Sequence, residues 1–310
     1  MAAEDTAGTP KVRTIVCPGH SRPVHNLHFS AETPDGRFFI SACHDKLPML
    51  RDAETGDWVG TFIGHKGAVW SAKLNPTATR AATGAGDSTA KFWDATNGSE
   101  LLNIDHKHVV KSVEFSPCHT RLATACDDKT LRLYDLSKPT EPIIAADLPA
   151  APRAVLWAPD HKLLHVAAGE QVHTVQASSG SIVTSVDVGG EVRDLDWAQG
   201  GASLVVAAGK RASVLDVATL KASVSHELEY HPDSISMHPS DSSVFVTGSQ
   251  DDVWGRMHST KGGAELKCLE GHHGPVHAVR FSPCGSQFIT GGNDASVRMW
   301  PWTGPPAAAS

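Results

Sequence analysis

The sequence predicts an all-β chain, seven four-stranded blades closed into a β-propeller, and three observations lead there. An apolar three-then-two spacing recurs seven times, further short apolar runs follow each copy, and a strand-like segment near the start fills a slot that the last copy leaves open. Self-similarity at a blade-sized period is the mark of such a ring.

The spacing is plainest at Val276, Val279 and Phe281, inside GPVHAVRFSPCG. It returns at Val24, Leu27, Phe29; Val69, Ala72, Leu74; Val110, Val113, Phe115; Pro152, Val155, Trp157; Val192, Leu195, Trp197; and Pro232, Ile235, Met237. The last members of the copies are separated by 45, 41, 42, 40, 40 and 44 residues. A second run follows each copy (38–42, 80–83, 122–124, 163–167, 204–207, 244–247, 288–290), then a turn and two further runs. Short strands broken by Gly, Asp, Asn and Pro read as antiparallel hairpins, and four of them make one blade. A three-then-two spacing departs from strict alternation by one residue, which predicts a β-bulge in every first strand.

After Trp300 only PWTGPPAAAS remains, too rich in Pro for a fourth strand. Fourth strands elsewhere precede the Gly-His pair, at 58–63, 101–104 and 266–269, and residues 12–16 lie at the same offset before Gly19-His20. This N-terminal strand is expected to complete the last blade and remove a sheet edge. The expected domain is a single propeller over 11–304, with flexible ends at 1–10 and 305–310.

Composition narrows the function. Twenty-seven Lys and Arg against 34 Asp and Glu leave a net charge of −7, which argues against a broad nucleic-acid-binding face. The opening MAAEDTAGTP is small and polar, so no secretory leader is expected, and no run is apolar for the ~18 residues of a membrane helix. Membrane insertion is therefore not expected. Six cysteines form no C-x-x-C pair and read as reduced thiols.

The second copy carries Gly64-His65 and then ATGAGDSTAKFWD, with Thr83, Asp87, Trp93 and Asp94. These residues resemble the WD-repeat family. The resemblance implies a buried hydrogen-bond relay of His65, Thr83, Asp87 and Trp93, repeated as His272, Thr290, Asp294 and Trp300, and as His106, Thr124 and Asp128 with Tyr134 replacing Trp. Buried imidazole and carboxylate groups need such partners or cost several kcal/mol. Copies one and six place Arg51 and Met257 at the Trp position, and copies four and five, which turn through AAGEQV and AAGKRA, lack both Asp and Trp and are expected to rely on apolar packing.

Four longer stretches, GHSRPVHNLHFS (19–30), FFISACHDKLPMLRDAETGDWVGTFIGHKGAVW (38–70), DHKHVVKSVEF (105–115) and GHHGPVHAVRFSPCG (271–285), resemble a narrower group, the receptor-associated WD-repeat proteins. That resemblance implies a non-enzymatic scaffold of the survival-of-motor-neuron complex, a monomeric propeller among subunits that assemble spliceosomal ribonucleoproteins. It also implies a dampening role in transforming-growth-factor-β signalling, with receptor kinases as partners and a cytoplasmic and nuclear location. Direct RNA binding and a translation-initiation propeller subunit are the alternatives.

No catalytic or cofactor motif competes. Eighteen histidines include no H-E-x-x-H, GAGDST lacks the Gly-Lys-Ser/Thr ending of a phosphate loop, and no G-x-S-x-G occurs. No enzyme, cofactor or metal is expected. One column does stand out. Directly after the first apolar position come His25, Trp70, Lys111, Arg153, Arg193, Asp233 and His277. A bulge would turn them toward the mouth of the central channel. They read either as solvated rim residues or as a docking rim for an acidic or phosphorylated partner, with Trp70 as anchor and Arg153 and Arg193 as forks.

Overall fold

Seven sheets of four antiparallel strands make up the computed structural model, which describes residues 14–304. Blades 1 to 6 are contiguous in sequence, spanning 24–61, 69–105, 110–147, 152–187, 192–227 and 232–269. Blade 7 takes three strands from 276–301 and its outermost from Ile15–Cys17. The first strands of successive blades touch in a ring, and the first strand of blade 7 touches that of blade 1. The closing strand pairs Ile15 with Met299, Val16 with Arg298 and Cys17 with Val297. It starts later than the expected 12–16: Thr14 is not in the strand, and residues 12 and 13, like the ends 1–10 and 305–310, lie outside the described residues. Among the described residues no helix is long and apolar enough to cross a membrane.

Between neighbouring blades lies an apolar layer. At the closing joint Cys17, Val24, Leu27, Phe39, Ala278, Ile289 and Met299 pack together, all buried. Small residues let the blades approach: a Cβ on Gly248 would stand 2.2 Å from the carbonyl oxygen of Val276 in the next blade. The layers in blades 4 and 5 are built from Val155, Leu164, Val166, Leu204 and Val206, as their missing Asp and Trp led one to expect.

Every first strand carries its bulge. The pairing with the second strand skips one residue in each blade, and the skipped residues are His25, Trp70, Lys111, Arg153, Arg193, Asp233 and His277. One position further on, a second column stitches the ring. Asn26 Oδ1 accepts the N–H of Ala72 (3.2 Å), Ser71 Oγ that of Val113 (3.2 Å) and Ser112 Oγ that of Val155 (3.2 Å). Asp194 Oδ2 accepts from Ile235 (3.0 Å) and Ser234 Oγ from Val279 (3.0 Å). Ala154 and Ala278 occupy this column in blades 4 and 7, so the joints 4/5 and 7/1 have no such stitch.

Candidate interaction surface at the channel mouth

The relays hold the loops that frame the mouth. In blade 2, Trp93 Nε1–H donates to Thr83 Oγ1 (2.8 Å), Thr83 bonds His65 Nε2 (2.6 Å), and His65 Nδ1 bonds Asp87 Oδ2 (2.9 Å). An ionised Asp87 can only accept, so Nδ1 carries the proton and Nε2 receives the threonine hydroxyl. The backbone N–H of Lys66 also donates to Asp87 (2.7 Å), which ties the Gly-His loop to the hairpin. Burial opposes ionisation of Asp87, but bonds from Thr89, the Lys66 N–H and His65 outweigh it and hold the carboxyl at about 2. Burial pushes His65 down, keeping it neutral. Blade 7 repeats the set with His272, Asp294 (3.0 Å), Thr290 (2.7 Å) and Trp300 (2.9 Å).

Blade 3 departs from the expected relay. His106 Nε2 bonds Thr124 (2.8 Å), but its Nδ1–H donates to the Ile104 carbonyl (3.1 Å), and Asp128 turns to Arg132 instead (2.6 and 3.2 Å). A two-pronged charge-assisted pair is stronger than a bond to a neutral imidazole. Tyr134 packs edge-on against His106, with ring centres 6.0 Å apart, and among the described residues it does not hydrogen-bond Thr124.

Two relays escaped the sequence reading. In blade 1, His20 bonds Asp45 (2.8 Å) and Ser41 (2.7 Å), with Arg51 at the Trp position reaching the carbonyls of Pro18 and Gly56. In blade 6 the residue across from Phe245, the Trp position, is His258 rather than the expected Met257. Tyr230 hydroxyl bonds both His258 Nε2 (2.7 Å) and Thr247 (2.5 Å), a relay running in the opposite order.

The seven bulge residues line one mouth of the channel together. Lys111 Nζ sits 3.5 Å from the centre of the Trp70 ring, and the Arg153 guanidinium is 5.7 Å from it. His25 is stacked between His44 and His277, ring centres 4.0 and 4.2 Å away. Burial first, then the neighbouring His277, His44, Arg153 and Lys111, hold His25 at about 2, so it is a neutral imidazole. The cavity within the mouth is about 50 Å³, room for only a few waters. That space is too small for a peptide side chain and its neighbours to enter.

The column is less cationic than it reads. Lys111 has Asp127 at 3.8 Å, Arg193 has Glu191 at 3.2 Å, and Arg153 has Asp233 at 4.0 Å. Asp233 is not an open rim acid: it is 8% exposed and bonded to His277 Nδ1 (2.7 Å). Deeper in the channel, Arg280 grips Asp194 with two bonds (2.7 and 2.8 Å) and Lys73 pairs with Glu114 (2.8 Å). Burial raises the carboxyls of Glu114 and Asp196, with the cations opposing it. These groups stand four positions after the first apolar residue of their copies, or two in the case of Asp194. A charge inside an apolar strand was the signal available for them.

Bulged blades around a polar channel, with His, Thr, Asp and Trp relays in blades 2 and 7, define a WD-repeat propeller. The family model described as WD domain, G-beta repeat, matches residues 56–94, 99–135 and 263–301, the stretches holding the inner three strands of blades 2, 3 and 7. The chain belongs to the serine-threonine kinase receptor-associated protein family. It is 42% identical over 290 residues to the Gallus gallus protein of that name, covering 93% of this chain and 82% of the relative. With the Dictyostelium discoideum protein the identity is 37% over 289 residues, covering 92% and 98%. It is also similar, at 25% identity over 316 residues, to eukaryotic translation initiation factor 3 subunit I of Drosophila sechellia, covering 93% and 96%.

Proposed function

We propose that this propeller is a non-catalytic scaffold that seats an acidic or phosphorylated protein partner across the mouth carrying the bulge column. The observation that carries this reading is the run of Lys111, Arg153 and Arg193 on three consecutive blades beside Trp70, with the two arginine side chains 29% and 28% exposed. Their own counter-ions stand at 3.2 to 4.0 Å, loose pairs that a partner's carboxylate or phosphate can replace. The names of the relatives point to receptor kinases as one partner class. The family resemblance points to ribonucleoprotein-assembly subunits of the survival-of-motor-neuron complex as another, and to work in cytoplasm and nucleus. Protein is favoured over RNA because Lys111 already covers a face of Trp70 on which a base would have to stack.

The test is pull-down of ribonucleoprotein-assembly subunits by wild type and by Lys111→Glu/Arg153→Glu/Arg193→Glu. Reversing three charges changes the local field by about six units within a Debye length of ~8 Å, enough to expel an acidic ligand. Circular dichroism and thermal melting show that the variant is folded before its capture is scored. Undiminished capture by that variant would place binding on another face. Capture of bare RNA with a steep salt dependence would favour the RNA reading.

A further inference from the structure

We propose that His25, Asp233 and His277 form a site for a divalent transition-metal ion, zinc being the ion this donor set suits, at the joint where the ring closes. One donor atom from each of the three residues lies within 4.8 Å of the other two. Two imidazoles and a carboxylate are a common three-residue set for zinc, with a fourth position left to water or another ligand. Zinc bonds of ~2.0 to 2.2 Å set tetrahedral donors roughly 3.4 Å apart, so the ion needs side-chain shifts of only about an ångström. The 2.7 Å bond between His277 and Asp233 opens slightly to admit the ion.

Three features of the fold support the site. The ligands come from blades 1, 6 and 7, and each is the bulged residue of its strand, so its side chain can turn without breaking a sheet ladder. His44, whose ring stacks 4.0 Å from His25, has a buried Nε2 without a hydrogen-bond partner, an unsatisfied polar atom beside the cluster. Finally, the joint between blades 7 and 1 is one of the two where alanine replaces the polar stitch, so an ion here supplies the cross-link that Ala278 cannot. Lys111 and Arg153 oppose an added dication. Asp233 and Asp127 offset them, and Arg153 gives up its 4.0 Å contact with Asp233 when the ion takes that carboxylate.

In the second cluster, His20, Cys43 and Asp45, both His20 nitrogens are already taken by Asp45 and Ser41 in the blade 1 relay and the Cys43 thiol bonds the Arg22 carbonyl, so it serves as an internal control. The experiment uses the full chain, stripped with chelator and dialysed, then titrated with Zn²⁺ by calorimetry and with Co²⁺ by visible absorption, with no partner present. One ion per chain is expected, with a melting temperature that rises with zinc concentration. His25→Ala and His277→Ala should each weaken binding by at least ~10-fold, since changes that merely support a ligand already do so. His231→Ala, on an exposed pair with Asp251, and Cys43→Ser should leave it unchanged. If an alanine variant does not fold by circular dichroism, His25→Asn and His277→Gln replace it. Anomalous diffraction from crystals grown with Zn²⁺ locates the ion in wild type. Absence of stoichiometric binding to the folded wild type, binding that survives the His25/His277 double variant, or loss on Cys43→Ser instead would overturn the proposal. Because the readout is the ion alone, its failure leaves the partner-docking reading untouched.

Discussion

Replacing Thr83 by Val removes a hydroxyl and keeps the shape, and the relay geometry says what that should cost. Thr83 is fully buried, and its Oγ1 serves two groups at once, the Trp93 indole N–H at 2.8 Å and His65 Nε2 at 2.6 Å. The substitution leaves both without a partner, and each buried orphan costs about 1 to 3 kcal/mol, giving roughly 2 to 6 kcal/mol in all. Thr124→Val in blade 3 is the matched comparison. Thr124 is equally buried but bonds only His106 Nε2 at 2.8 Å, so one orphan is created and the loss is about 1 to 3 kcal/mol. The assay is equilibrium urea denaturation followed by circular dichroism, with m-values checked for constancy. Blade 2 should lose measurably more than blade 3. Equal losses would refute the claim that the indole donor makes the difference, and with it the reading of blade 3 as an incomplete relay.

Three further outcomes are expected. Asp87 and Asp294 have carboxyls held at about 2 against an ordinary 3.8, so their contribution is complete above about pH 4 and lost as pH falls toward 2; urea midpoints of Asp87→Asn/Asp294→Asn should be lower than wild type at pH 5 and fall less steeply over that window. Deleting residues 1–18 strips the partner from Val297–Met299 and uncovers the joint filled by Cys17, so thermal melting should reveal a loss of several kcal/mol; a melting point within a degree or so of wild type would contradict closure by this strand. Arg280→Met leaves Asp194 buried without its cation, and denaturation should register about 3 to 5 kcal/mol, whereas a near-neutral result would mean that water reaches the channel floor.

What the sequence could and could not disclose follows from the range of the interactions. The bulge is local: a three-then-two apolar spacing has no other strand solution, and so all seven bulged residues could be named. The relays of blades 2 and 7 are nearly local, since 18 residues separate His from Thr. In blade 3 Arg132, four residues on, takes the Asp128 carboxylate, and no motif records that outcome, since Arg298 stands at the same offset from Asp294 in the intact relay of blade 7. Blade 6 failed because its longer turn shifts the register by one, bringing His258 opposite Phe245 where counting placed Met257. The stack of His25 on His277 joins residues 252 apart and exists only because the ring closes. The counter-ions of Lys111 and Arg193 were hidden for a simpler reason: Asp127 sits in the hairpin turn of its own blade and Glu191 in the loop entering blade 5, and spacing does not say where such turn side chains reach.

Closing the ring with its first strand also imposes an order in time. Cys17 pairs with Val297, a residue made 280 positions later. At roughly 5 to 20 residues per second, that is about 15 to 55 s during which the earliest strand of the chain has no sheet to join. Hairpins form in microseconds, so six blades can fold while the seventh waits. Throughout that interval the apolar face made by Val24, Leu27 and Phe39 is bare to solvent, and so is Ile15–Cys17. The newborn chain is therefore a curved, sticky arc with a loose end, and its exposure to aggregation is set by ribosome speed rather than by the stability of the finished ring.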